Sequence, residues 1–132
     1  MRTYHNISLI DDDLIHVKFE KFAPTLGEFR EYLSEFYEVI RQNPGRAHIM
    51  DGTNGIWLPS EIQIAQGDWI RENQEFLLEH CPYTAFIVSN KLSKIVLMGI
   101  FMVQKPKVPY LVVQSLDNAI RGVRERVGLL VN

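Results

Sequence analysis

The segment His48-Ile-Met-Asp51-Gly52-Thr53-Asn54-Gly55-Ile56-Trp57-Leu58-Pro59-Ser60-Glu61 gathers the side chains most able to do chemistry. A carboxylate directly follows an apolar run, a hydroxyl stands two residues on, and two glycines flank that hydroxyl. A carboxyl group at the C-terminal end of a parallel strand lies where open α/β sheets receive ligands. Asp51, Gly52, Thr53, Asn54, Gly55 and Trp57 therefore form the candidate loop site. The plain structural role of Asp51 is an Asx-turn, its carboxylate accepting N–H groups from the Gly-Thr-Asn run. The two roles are compatible.

The remaining reactive side chains do not converge on a reaction. His5, His16, His48 and His80 show no i,i+4 pair and no HExxH spacing, and Cys81 beside His80 is not a metal-ligand pattern, so no metal is expected. No G-x-S-x-G elbow, P-loop or dinucleotide fingerprint occurs. A receiver-like set can be assembled from Asp11, Asp12, Asp51, Ser89 and Lys105-Pro106, but the order excludes it. Its first acids occupy a tight hairpin, and Lys105-Pro106 precedes the last strand instead of following it. The expectation is a non-enzymatic protein with no cofactor.

The elements that must hold the loop follow from periodicity. Ile7 and Leu9 alternate with Asn6 and Ser8, and Ile15, Val17 and Phe19 alternate with His16, Lys18 and Glu20; the period of two predicts a half-solvated hairpin turning at Asp11–Asp13, with His16 facing solvent. Thr25 and Glu28 form a capping box for a helix whose stripe is Leu26, Phe29, Leu33, Phe36, Tyr37 and Ile40. A short strand Ala47–Met50 leads into the loop. Ser60 caps the next helix with Gln63 as partner, and that helix runs on to Pro82, with Gly67 weakening its middle. Tyr83–Val88 and Tyr110–Val113 are apolar strands separated by a helix over Lys91–Val103, and Ser115 caps a final helix. The order β-β-α-β-α-β-α-β-α implies one α/β domain over residues 1–132, a mixed and mainly parallel sheet with one antiparallel strand and helices packed on it.

Composition narrows the partners. Of 132 residues, 46% are apolar and 23% charged, and 14 basic against 16 acidic side chains give a net charge of −2, so nothing neutralises a phosphate backbone and no nucleic-acid partner is expected. One cysteine forms no disulfide framework and fits a reducing compartment. The N-terminus lacks a signal-peptide apolar region, and the longest apolar run, residues 95–103, is about half of a membrane span. The expected location is cytoplasmic, with no transmembrane segment. The helix over Lys91–Val103 is apolar nearly all round, so it needs cover on two sides. Ile95, Met98, Phe101 and Met102 are the candidate interface or pocket residues, to be met by a second subunit or by a small apolar molecule held beneath the helix. Trp57 is expected to fold back over the core as a lid, and Arg121 and Arg124 to form a solvated face.

The element order, the length, and a strand ending in Met50-Asp51 before a Gly/Thr loop and a helix resemble the STAS fold of anti-sigma-factor antagonists. The nearer resemblance is to SpoIIAA-like proteins, a branch related to STAS and to Sec14-type lipid-binding domains. It spans nearly the whole chain and rests on element order and this short motif. It implies a regulatory or protein-interaction domain, here expected to be homodimeric, with a small-ligand or lipid carrier as the alternative. In phosphorylated members an Asp, Ser/Thr residues and a Gly lead straight into the helix. There the acceptor hydroxyl sits near a helix N-terminus, where free N–H groups and the helix dipole tolerate a phosphate. Asp51, Thr53 and Gly55 match that pattern and the resemblance makes Thr53 the candidate phospho-acceptor, but Gly52 and Asn54 interrupt it, and Ile56–Pro59 displaces Thr53 from the helix end.

Overall fold

The computed structural model of the chain describes residues 2–131. Strands β1 (His5–Ile10) and β2 (Leu14–Phe19) form an antiparallel hairpin in which Ile7 faces Val17 and Leu9 faces Ile15. Asp11 turns it in the left-handed region at φ 51°, a conformation Asp enters more easily than most residues. Strands β3 (Ala47–Gly52), β4 (Thr84–Val88) and β5 (Tyr110–Val113) then add in parallel, so the spatial order β1-β2-β3-β4-β5 is the order of the chain. This is the mixed, mainly parallel sheet that the sequence implies.

That order dictates where the helices go. Each parallel step moves one place in the same direction, and right-handed crossovers then put every connecting helix on one face. These are α1 (Leu26–Gln42), α2 (Ser60–Glu72) with α3 (Gln74–His80), and α4 (Lys91–Val103). Helix α5 (Leu116–Val131), which follows β5, covers the opposite face. Two cores result. One joins Ile15 and Val17 to Phe29, Tyr32, Phe36, Ile62 and Ile100; the other joins Leu14, Ile49, Ala85 and Ile87 to Ala119 and Val123.

The Thr25–Glu28 capping box forms as expected, with Thr25 Oγ1 accepting from Glu28 N at 3.1 Å and Glu28 Oε1 from Thr25 N at 2.8 Å. The second helix differs from its expected form at both ends. Pro59, with φ at −57°, takes the N-cap position that Ser60 was expected to fill, and no side chain caps the helix. Gln63 instead donates from Nε2 to Leu58 O at 2.8 Å. The helix also breaks at Asn73, whose Nδ2 donates to Trp69 O at 2.9 Å and whose ψ of 21° leaves the helical range. A short Asn side chain competes in this way with the backbone bonds of the last turn, and the restart as α3 swings Phe76 and Leu77 onto the core.

Gly67 lies where α2 meets α4. A Cβ there would sit 2.4 Å from Val103 Cβ. The lower helix propensity of Gly, about 1 kcal/mol relative to Ala, is thus accepted in exchange for close packing of the two helices.

Candidate functional site

Asp51 ends β3 with its side chain turned toward the α5 face, and it is 2% exposed. Its Oδ1 accepts Thr53 N at 2.9 Å, closing the expected Asx-turn, and also accepts the Thr53 hydroxyl. Its Oδ2 accepts from His16 Nε2 at 2.7 Å. Burial pushes the carboxyl pKa up, but the hydrogen bonds from His16 and Thr53 outweigh this and hold it below the ordinary carboxylate value. Asp51 is therefore the ionised centre of a His16–Asp51–Thr53 chain. His16 does not face solvent as expected. Parallel pairing sets it beside Ile49, two positions along β3 from Asp51 and on the same face, where a buried carboxylate draws its ring inward.

The chemistry open to this chain is narrow. The carboxylate lies between the hydroxyl and the imidazole, so the imidazole does not touch Thr53 Oγ1 as a base would. Thr53 itself is exposed, seven residues before α2 begins. A phosphoryl group on it would stand next to the Asp51 carboxylate. The rest of the loop is tied down: Ser89 Oγ donates to Thr53 O at 2.9 Å, Asn54 Nδ2 to Phe19 O at 3.2 Å, and Asn90 Nδ2 to Gly55 O at 3.2 Å. A Cβ on Gly55 would come within 2.4 Å of Ser93 Cβ, and one on Gly52 within 2.6 Å of Ile87 O, so the loop is pressed against β4 and the start of α4. Trp57 is not a lid. It is 51% exposed, and its neighbour Leu58 fills the core position instead.

Behind this loop, between the sheet and helices α1, α2 and α4, is an apolar cavity of about 160 Å³. Met50 and Phe86 line it from the sheet, Phe29 and Phe36 from α1, Trp69 and Ile70 from α2, and Val96, Leu97, Ile100 and Phe101 from α4. Gly52, Asn54 and Gly55 of the loop also line it, and its walls reach the exposed Glu20 and Lys107. Of the four residues singled out on α4, only Phe101 lines it, stacked edge-on against Phe86 and Tyr110. Ile95, Met98 and Met102 turn outward and are exposed.

One polar side chain in this lining is missed by motif reading. His48 stands on β3 between Ala47 and Ile49, is 2% exposed, and packs edge-on against Phe36 with centroids 5.2 Å apart. Its Nε2 is buried without any hydrogen-bond partner. Burial, with a smaller contribution from His80, lowers its pKa to about 3, so the ring is neutral across the physiological range. The signal in the sequence is a lone His inside an otherwise apolar strand, on the face opposite its Ala and Ile neighbours. Among the described residues, two other buried side-chain polar atoms, His5 Nδ1 and Tyr32 Oη, also lack partners, but neither residue lines the cavity. Among the described residues, no group of three or more His, Cys, Asp or Glu side chains is placed to hold a metal ion, and no helix is long and apolar enough to cross a membrane.

Compared with known proteins, the chain matches no family model and no curated sequence.

Proposed function

We propose that this domain binds a small, uncharged, apolar molecule in the cavity between the sheet and α4, with one polar atom of the ligand hydrogen-bonded to His48. The observation that carries this reading is an apolar space of about 160 Å³ whose lining includes His48, a residue whose Nε2 is buried just behind that surface without a partner. A buried polar atom without a partner costs about 1–3 kcal/mol, and a ligand atom at that point recovers it. A cavity of about 150 Å³ lined by aliphatic and aromatic side chains accepts a molecule of benzene size, which sets the scale of the occupant. A neutral imidazole pairs with a hydroxyl, carbonyl or amide. It does not balance a carboxylate, so a charged head group is disfavoured.

The resemblance to SpoIIAA-like proteins of STAS type, and through them to Sec14-type lipid-binding domains, agrees with this reading. Its regulatory alternative, action through protein contacts, draws support from a different feature, the exposed outer face of α4. The His16–Asp51–Thr53 chain then serves to fix the loop that walls one end of the cavity.

The test is native mass spectrometry of protein purified from its own cell without organic extraction, together with toluene titration followed by NMR. An adduct that Val96→Phe removes, and toluene-induced shifts at His48, are the expected results. Bare protein together with an unmoved His48 resonance at saturating toluene would overturn the proposal.

A further inference from the structure

The outer face of α4 is an apolar stripe with no cover. Leu92, Ile95, Met98 and Met102 recur at spacings of three and four and are 47%, 51%, 58% and 88% exposed. Soluble domains scatter exposed apolar side chains singly, and a continuous stripe marks a contact surface. The charges carried by α4 and the segment that follows it are of one sign. Residues 91–107 contain Lys91, Lys94, Lys105 and Lys107 and no acidic residue, whereas residues 26–80, which include α1 to α3, hold ten acidic and four basic side chains.

The complement of this stripe lies on the same helical layer. Between α1 and α2 runs a groove of about 590 Å³ whose lining includes Leu33, Tyr37 and Ile64 together with Glu38, Glu61, Asp68 and Glu72. Arg30 is the one basic residue in that lining. Glu38 and Asp68 are already paired with Arg41 and Arg71, while Glu61 and Glu72 are exposed. An apolar helix face with basic flanks fits a groove that sets Leu33, Tyr37 and Ile64 among acidic side chains.

We propose that two copies of this chain pair helical layer to helical layer, the α4 stripe of each lying in the α1–α2 groove of the other. Symmetry and charge together select the arrangement. The helices lie side by side in the order α1, α2, α4, and a two-fold axis running parallel to α2 exchanges the two sides of the layer while keeping each helix end at its own level. Lys91 and Lys94 at the start of α4 then meet Glu61 at the start of the partner copy's α2, and Lys105 and Lys107 meet Glu72 at its end. The other face-to-face two-fold, at right angles to the helices, sets α4 on α4 and four lysines against four. An anionic bilayer would attract the lysines but repel the remainder of the chain, whose net charge is −6 once these four are set aside from the total of −2. The pairing stands independently of the ligand reading, since the stripe side chains are not those that line the cavity.

Analytical ultracentrifugation over a wide concentration range, with vesicle co-sedimentation alongside, tests it. The wild type is expected to be a dimer. Met98→Glu should make it monomeric, and Lys94→Glu and Glu61→Lys should each weaken the dimer about ten-fold or more. All three side chains are exposed, so circular dichroism should show unchanged folding. The charge-swapped double variant, Lys94→Glu with Glu61→Lys, should recover most of the lost affinity. A wild type that stays monomeric overturns the proposal, as does a dimer indifferent to Met98→Glu. So does a double variant no tighter than the singles. A monomer that binds phosphatidylglycerol vesicles through Met98 would assign the face to a membrane instead.

Discussion

Replacing His48 by Phe removes a titratable ring from the most enclosed part of the sheet, and its effect should depend on pH in a calculable way. The folded protein holds the imidazole neutral down to about pH 3, whereas in the unfolded chain it returns to its ordinary value of 6.5. Above pH 6.5 both states are neutral and the ring makes no pH-dependent difference. Below it the unfolded state takes up a proton that the folded state refuses, so stability falls as pH falls, by about 1.4 kcal/mol per unit. At pH 4.5 this amounts to about 3 kcal/mol, and below pH 3 it levels off near 5 kcal/mol. The carboxylates titrate in the same range, but they are common to both proteins and cancel in the comparison. At pH 7.5 His48→Phe should be as stable as the wild type or slightly more so, because an apolar ring of similar shape replaces an unpartnered polar one. Urea denaturation of the unliganded proteins at pH 7.5, 5.5 and 4.5 should show the gap widening in favour of the variant by about 2–3 kcal/mol. A gap that stays constant with pH would show that His48 is protonated, or solvated, in the folded state, and would remove the basis for a neutral hydrogen-bonding partner in the cavity.

Two further outcomes are expected. Gly67→Ala should destabilise the protein despite the better helix propensity of Ala, because its methyl would meet Val103 Cβ at 2.4 Å; overpacking of about 1–3 kcal/mol set against a propensity gain of about 1 kcal/mol leaves a net loss that thermal denaturation can read, and a raised Tm would show that α2 and α4 are free to separate. Cys81 is buried, its Sγ lies 3.1 Å from Tyr83 O, and burial pushes its pKa up to about 11, so it should resist thiol reagents at pH 8 until denaturant is added; labelling of the native protein within minutes would contradict this.

The strand and helix order was legible because it rests on periodicity summed over whole segments. Alternation in β1 and β2, and the Phe29–Leu33–Phe36–Ile40 stripe of α1, survive any small error at an end. What the sequence concealed depends on single contacts across the fold. Nothing local shows that parallel pairing brings His16 to Asp51, 35 residues away, and alternation alone sends that ring to solvent. The same applies to Trp57 and Leu58: one of two adjacent apolar residues must cover the loop, and only the angle at which α2 starts decides that it is Leu58. Pro59 as N-cap displaced a Ser whose type suited the position. The cavity could be anticipated beneath an over-apolar helix, but its polar element could not, since His48 becomes notable only when its surroundings contain no partner.

The match between spatial order and chain order has a consequence for how the protein is made. During synthesis each new strand finds its neighbour already in place, and each connecting helix can settle on the face just extended. The opposite face has no such provision. Leu14, Ala47, Ile49, Ala85 and Ile87 stay bare until α5, which follows all five strands, leaves the ribosome and folds back over them. Arg124 then reaches Asp11 at 2.6 Å and Asp13 at 2.9 Å, joining the last helix to the first turn. A nascent chain halted before residue 116 would thus carry an apolar sheet surface into the cell, and the closing helix is the part whose late arrival a chaperone would have to cover.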